Sequence, residues 1–138
     1  MTAEFDLERF VTAQAPVMAG VRAELEAGAK RSHWMWFVFP QIAGLGHSAI
    51  SRRYAIASLD EARAYLAHPV LGPRLVECTR LVLALDGRPA ADIFGHPDDL
   101  KFRSSMTLFA RASDAPEFRR ALEKYFGGEE DTATLERL

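Results

Sequence analysis

The sequence predicts an all-α fold: a single multihelical domain of about seven short helices around a short, buried Trp/Phe-rich central segment. Three observations carry this prediction. Apolar residues recur at helical spacing along most of the chain, alternating strand patterns are nearly absent, and glycine and proline divide the pattern into short pieces. With 138 residues, 49% of them hydrophobic and 26% charged, the chain suits one domain over residues 1–138.

The first two helices are predicted on either side of Pro16. Asp6 is a favourable N-cap for the first helix, and Pro16 breaks or restarts it because proline lacks the backbone N–H that a helix interior needs. The second helix is expected to stop at Gly28, since glycine readily adopts the left-handed conformation that ends many helices.

The central segment, Trp34–Phe39, contains both tryptophans of the chain and no polar residue. A surface helix would expose about half of these positions, so we expect the segment to be buried. Its periodicity cannot distinguish a helix from a strand, because every position is apolar. We assign Met35 and residues 37–39 to the core and leave Trp34 and Trp36 as positions where a pocket could open.

The second half of the chain divides into further helices. A capping box at Ser58–Glu61 begins the first of them, and the stripe from Leu71 to Leu85 is the longest regular one. The predicted helices run from Ser58 to His68, from Leu71 to Leu85, from Pro89 to Phe94, from Pro97 to Arg111 and from Asp114 to Phe126, with one more turn after Asp131.

Composition narrows the function classes. The net charge of −2 provides no general field for a polyanion, so we expect neither nucleic acid nor a membrane as a partner. The lone Cys78 excludes an intrachain disulfide and favours a reducing, cytoplasmic setting. The opening MTAEFDLERF carries charges where a signal peptide needs an apolar core. Cysteine and histidine are too few and scattered for a structural zinc site, and we expect no metal and no cofactor.

The first candidate site is KRSHWMWFVFPQ, residues 30–41, in which Lys30, His33 and Gln41 flank the two tryptophans. Trp34 and Trp36 offer flat faces for stacking, and the polar residues offer donors and a titratable ring, so the cluster suits a nucleotide-like ligand. The alternative is a structural plug, because a histidine beside a core segment is most often a packing residue.

The second candidate is the turn GLGHSAISRRY, residues 44–54. A helix that begins near Ser48 would point free N–H groups at the loop, where His47, Ser48 and Arg52 could add contacts to a phosphate or carboxylate. The segment has neither a G-x-G-x-x-G pattern nor a Walker lysine, so a tight turn with an N-cap is the alternative interpretation.

The third candidate is a polar stripe on the predicted helix 97–111. Lys101, Ser104 and Ser105 lie at helical spacing i, i+3 and i+4, beside an apolar face. Such an edge can line an anion pocket, or it can be the water-facing border of the helix.

Carboxylates offer no clear catalytic pair. Asp131 follows two glycines on a predicted loop and could reach a cleft, whereas its alternative role is the N-cap of the final turn. Cleavage of a glycosidic bond requires at least one such carboxylate. The candidate catalytic residues are therefore Asp131 and His33.

Four blocks that together span most of the chain resemble one bacterial family, the domain of unknown function 1810. The resemblance implies a small, mainly helical cytoplasmic protein, and it carries no established activity. Some members are labelled calpastatin, which this aromatic-rich composition argues against. A looser likeness links the chain to the NADAR domain of N-glycosidases at the level of the fold. The blocks are GAKRSHWMWFVFPQIAGLGHS, YAIASLDEARAYLAHPVLGPRL, IFGHPDDLKFRSSMTLFA and YFGGEEDTATLERL.

Two functions remain open at this point. The first is a protein that binds a nucleotide-like small molecule, with ADP-ribose compounds foremost, or an N-glycosidase-like hydrolase that cleaves one. The second is a non-catalytic interaction or structural module. The sequence leaves open whether the protein is a monomer or a homodimer.

Overall fold

The computed structural model describes residues 5–138, and within this range the chain forms ten helices and no extended strand. Residues 1–4 lie outside the described range. They belong to two of the predictions, the opening segment MTAEFDLERF and the single domain over residues 1–138. The helices are α1 Glu8–Gln14, α2 Met18–Ala27, α3 Met35–Val38, α4 Ala49–Arg53, α5 Leu59–Ala67, α6 Leu71–Leu83, α7 Ala90–Phe94, α8 Asp98–Ala112, α9 Pro116–Phe126 and α10 Thr132–Leu135.

The predicted all-α class is confirmed, and the number of helices is larger than expected. Four of the ten, α3, α4, α7 and α10, are only four or five residues long. A single turn is too short for apolar periodicity to register in the sequence. None of the helices in the described part has the length and apolar character needed to cross a membrane.

Several helix ends follow their local sequence signals. Gly28 ends α2 in the left-handed conformation, with φ of 72°. Ser58 caps α5 by accepting a hydrogen bond of 3.3 Å from the Glu61 N–H. The Glu61 carboxylate reaches back to the N–H of Ala57, 2.7 Å away, which is one residue earlier than a standard capping box.

Two predicted starts are wrong. Asp6 does not cap α1: the helix begins after Leu7, and no side chain among the described residues caps it. The helix predicted from Asp114 begins instead at Pro116, since proline fits the first helical position, where no N–H is needed.

The central segment, Trp34–Phe39, folds into α3 and is buried apart from one residue. Phe39 is fully buried and makes edge-to-face contacts with Phe94 and Phe102, with ring centroids 5.9 and 5.1 Å apart. These contacts join the centre of the chain to α7 and α8. Trp36 is the exception, because its side chain is only half-buried.

A buried hydrogen-bond network lies beneath α3. The amide of Gln14, 1% exposed, donates to the Phe37 carbonyl at 2.7 Å and to the Tyr65 hydroxyl at 2.9 Å. Burial raises the pKa of Tyr65, so its hydroxyl stays neutral. The network therefore ties α1, α3 and α5 together, and Arg74 of α6 joins it by donating to the Gln14 amide oxygen at 3.4 Å.

An isolated parallel bridge follows the central segment and pairs Ile42 with Ile56. The Ala43 N–H donates to the Ile56 carbonyl, and the Ile56 N–H donates to the Gln41 carbonyl, both at 2.8 Å. The bridge fixes the segment after α3 against the segment after α4, and these two segments form the walls of the groove described next.

Candidate functional site

A groove opens where the loop after α3, helix α4, the first half of α8 and helix α10 meet. It has two adjoining lobes of about 480 and 580 Å³, measured to the open mouth. The lobes share Gln41, Gly46 and Ser51. We call the first the arginine lobe, which carries the aromatic and polar side chains of Trp36, Gln41, Ser51, Arg52 and Tyr54. We call the second the acidic lobe, which carries the polar side chains of Gln41, Ser51, Lys101, Ser104 and Asp131.

Trp36 and Lys101 meet at the boundary between the lobes. The Lys101 ammonium lies 5.5 Å from the centroid of the Trp36 ring, within the range of a cation–π contact. Trp36 also lines the arginine lobe, so its half-buried indole offers aromatic surface there on which a second flat ring could stack.

One carboxylate serves two lysines at this place. Asp98 lies 2.9 Å from the Lys30 ammonium and 3.3 Å from that of Lys101. Lys30 is the closer and the more buried of the two, with 8% of its side chain exposed against 28% for Lys101. One carboxylate cannot neutralise two ammonium groups, so positive charge remains on Lys101, the less buried of the two.

Asp131 caps α10 with one oxygen of its carboxylate. Its Oδ2 accepts hydrogen bonds from the Thr134 N–H at 3.1 Å, the Thr134 hydroxyl at 2.5 Å and the Ser104 hydroxyl at 3.0 Å. Among the described residues, Oδ1 has no hydrogen-bond partner. The predicted N-cap role of Asp131 is therefore confirmed, and the second oxygen stays available in the groove.

Two arginines hold the loop that carries Asp131. Arg103 donates to the carbonyls of Glu129 and Glu130 at 3.1 and 3.0 Å. Arg111 forms a bidentate pair with the Glu130 carboxylate at 2.6 and 2.7 Å, and these hydrogen bonds lower the pKa of Glu130. The position of Asp131 is thus fixed by groups outside the groove.

Close approaches at two glycines shape the arginine lobe. A Cβ on Gly46 would lie 2.6 Å from the Ser51 Cβ, so only glycine fits beside the start of α4. Gly44 has φ of 99°, and its carbonyl accepts a hydrogen bond of 3.2 Å from Arg137 at the end of the chain. The loop after α3 is therefore held from both sides.

The groove brings together half of the residues predicted from the sequence. Those that line it are Trp36, Gln41, Arg52, Lys101, Ser104 and Asp131. Those that lie outside it are Lys30, His33, Trp34, His47, Ser48 and Ser105.

Trp34 and Lys30 are placed behind the groove rather than in it. Trp34 is 1% exposed, and its indole N–H donates to the Glu24 carboxylate at 2.9 Å. Lys30 lies 5.3 Å from the Trp34 ring centroid, in addition to its pair with Asp98. Both side chains therefore brace the wall that carries Trp36.

The other predicted residues that lie outside the groove differ in exposure. His33 and His47 are exposed and line neither lobe, and Ser48 caps α4 by accepting a hydrogen bond of 3.2 Å from the Ser51 N–H. Ser105 is fully buried, and its hydroxyl has no hydrogen-bond partner among the described residues. None of these four contributes a surface to the groove.

Two residues of the site were missed in the sequence. Tyr54 lines the arginine lobe. Asp98, the shared partner of the two lysines, was not among the residues predicted for the site. The spacing of Asp98 three residues before Lys101 could have indicated their pair.

Glu24, which binds the central segment through Trp34, is expected to make the stability of the protein depend on pH. Burial opposes the charged form of Glu24, but hydrogen bonds from Ser32, the Arg31 N–H and the Trp34 indole outweigh it and lower the pKa of Glu24 from 4.5 to about 2. Because the folded-state pKa lies below the unfolded one, this stabilisation is complete above about pH 5 and is lost as the pH falls towards 2.

We therefore expect Glu24→Gln to lower the free energy of unfolding by about 1–3 kcal/mol at pH 6 and to make the acid loss of stability shallower. Urea unfolding at a series of pH values between 6 and 3 measures both effects. Glu26→Gln, an exposed position on the same helix, is the control. Equal pH dependence in the wild type and Glu24→Gln would contradict the assignment.

A family model described as a protein of unknown function, DUF1810, matches residues 4–138 of the sequence. The chain belongs to the DUF1810 family. The resemblance in the four sequence blocks is confirmed by this match. Among solved structures, the conserved hypothetical protein Rv1873 from Mycobacterium tuberculosis is similar, with 60% identity and a TM-score of 0.97. The similarity covers 99% of this chain and 98% of that one. No curated protein matches the sequence.

Proposed function

We propose that this DUF1810 protein binds a nucleotide-like small molecule in the groove. The observation that carries the proposal is the half-buried Trp36, with the Lys101 ammonium 5.5 Å from its ring, in the same groove as Asp131. An aromatic face, a cation and a hydrogen-bond acceptor are the groups that recognise a flat ring, an anion and a hydroxyl.

The polarity of the groove supports a small ligand. Its two lobes combine aromatic surface with a few polar and charged side chains, the mixture typical of small-molecule sites. Arg52 lines the arginine lobe and has neither an ion pair nor a side-chain hydrogen bond among the described residues. An arginine without a partner at the edge of a groove suits an anionic group of a ligand.

A thermal-shift screen with NAD, ADP-ribose, flavins and sugar phosphates tests the binding proposal. A ligand that binds only the folded state adds about 2.7 kcal/mol at one hundred times its dissociation constant, so Tm should rise. We expect Lys101→Gln to reduce the shift and Lys124→Gln, outside the groove, to retain it. If no compound raises Tm, the binding proposal fails and the interaction-module alternative is favoured.

Hydrolysis of an N-glycosidic bond is the second candidate function, and the free Oδ1 of Asp131 favours it. In this reaction the carbon–nitrogen bond breaks, the bonding electrons leave with nitrogen, and water adds its hydroxyl to the anomeric carbon. The remaining proton goes to the leaving nitrogen, or to solvent when that nitrogen begins as a cation, as in NAD. A carboxylate can orient the water and stabilise the positive charge that develops on the sugar. The loosely similar NADAR domain performs this class of reaction.

Incubation with NAD or ADP-ribose, followed by chromatography of the products, tests the hydrolase candidate. We expect product formation by the wild type and its loss in Asp131→Asn, which keeps the helix cap because asparagine is also a good N-cap. If a compound raises Tm but is not converted, the binding proposal stands and the hydrolase candidate is dropped.

A further inference from the structure

We propose that the groove fixes the direction of its ligand: a neutral, hydroxylated ring such as a sugar occupies the acidic lobe, and the anionic end of the ligand occupies the arginine lobe. This inference rests on the proposed binding function. It follows from the different charge balance of the two lobes.

The acidic lobe combines charges of both signs. Asp131 contributes a carboxylate with a free Oδ1, and Lys101 contributes an ammonium that Asp98 neutralises in part. A ligand anion placed here would meet the Asp131 carboxylate, and a ligand cation would meet Lys101. Neutral hydroxyl groups avoid both conflicts, because they can donate to a carboxylate and accept from an ammonium.

The hydrogen-bonding groups of the acidic lobe match a hydroxylated ring. Besides Asp131, the lobe contains the Gln41 amide, which both donates and accepts and has no side-chain partner among the described residues. A bound metal ion is not favoured as the occupant, because the described residues contain no group of three side chains that could ligate one.

The arginine lobe has the opposite character. Among the described residues, Arg52 supplies the one charged side chain of its lining, and no carboxylate lines it. Trp36 and Tyr54 add aromatic surface. An anionic group therefore gains attraction in this lobe without opposition, and the excess of positive charge sets the direction in which a ligand with one anionic end must lie.

The test compares three probes, AMP, adenosine and 2′-deoxyAMP, by calorimetric titration of the full chain. We expect Arg52→Gln to weaken the binding of AMP about tenfold and the binding of adenosine less than about twofold, because of these two only AMP carries a phosphate. We expect Asp131→Asn to weaken the binding of AMP and of adenosine by similar factors and the binding of 2′-deoxyAMP by a smaller one. The reason is that 2′-deoxyAMP already lacks the hydroxyl group whose contact with Asp131 the substitution removes.

Matched controls separate these effects from changes in total charge. Arg120→Gln removes the same charge at an exposed position that lines neither lobe, and Asp114→Asn removes a carboxylate from an exposed position. Both are expected to bind all three probes with the wild-type affinity.

Three results would overturn the inference. Tighter binding of AMP by Asp131→Asn, with no effect of Arg52→Gln, would place the phosphate in the acidic lobe and reverse the direction while leaving the proposed binding function intact. If Asp131→Asn lost the same factor of affinity for AMP and for 2′-deoxyAMP, the inferred contact between Asp131 and the 2′-hydroxyl would be contradicted. If the wild type bound none of the probes, the inference and the proposed function would fail together.

Discussion

Replacing Gly72 with alanine is expected to lower the free energy of unfolding by about 3 kcal/mol or more, because the added methyl group has no space. Gly72 lies in the first turn of α6, where a Cβ would sit 2.0 Å from the Leu66 carbonyl oxygen. The obstacle is backbone, which cannot rotate away as a side chain can. The junction of α5 and α6 must therefore move, and chemical denaturation measures the cost.

Gly20→Ala is the matched control. Gly20 also lies inside a helix, α2, but a Cβ there would meet nothing within 4 Å. Alanine is a better helix former than glycine by about 1 kcal/mol, so this substitution should stabilise the protein. If Gly72→Ala and Gly20→Ala changed the free energy of unfolding in the same direction, the close approach of α5 and α6 at Gly72 would be contradicted.

The second large effect is expected for Arg9→Ala. The Arg9 guanidinium pairs with the Glu61 carboxylate at 3.1 Å, and Glu61 is 3% exposed. Removal of one partner from a buried ion pair costs about 3–5 kcal/mol, since the other charge stays buried without it. Arg9 also donates to the carbonyls of Arg53 and Ala55, both at 2.8 Å. These carbonyls flank Tyr54, so the arginine lobe should loosen as well.

Arg22→Ala is the control for Arg9→Ala. Arg22 pairs with Glu77 at 2.9 Å, but the two side chains are 38% and 49% exposed. An exposed pair is worth less than about 1 kcal/mol. We expect Arg9→Ala/Glu61→Gln to recover part of the loss, because the double variant leaves no unpaired charge. A loss for Arg9→Ala as small as that for Arg22→Ala would contradict the role of Arg9.

The helices could be predicted from the sequence where their signals are local. Gly28 and Ser58 end and begin their helices through contacts with residues at most four positions away. Asp6 carried an equally good local signal, and no side-chain cap forms there. The carbonyl of Asp6 instead accepts a hydrogen bond from Arg9. Tertiary contacts decide between capping and its alternatives, and they are not visible in a short window of sequence.

The site could be predicted only in part because side-chain direction is set by the fold. Trp34 and Trp36 are both tryptophans in an apolar run, yet Trp34 precedes α3 in a non-helical conformation whereas Trp36 lies within the helix. Trp34 turns inward to Glu24, and Trp36 turns to the groove. The pairing of Lys30 with Asp98 likewise depends on contacts 68 positions apart, which no local pattern predicts.

Fluorescence of Trp36 alone tests the central claim most directly. The chain has two tryptophans, so Trp34→Phe leaves Trp36 as the single indole, and Trp36→Phe leaves only the buried Trp34. We predict that AMP or ADP-ribose changes the emission of Trp34→Phe in a saturable way and leaves that of Trp36→Phe unchanged. A titration in which the emission of Trp36 stays constant, or in which both variants respond alike, would contradict a ligand site at this groove.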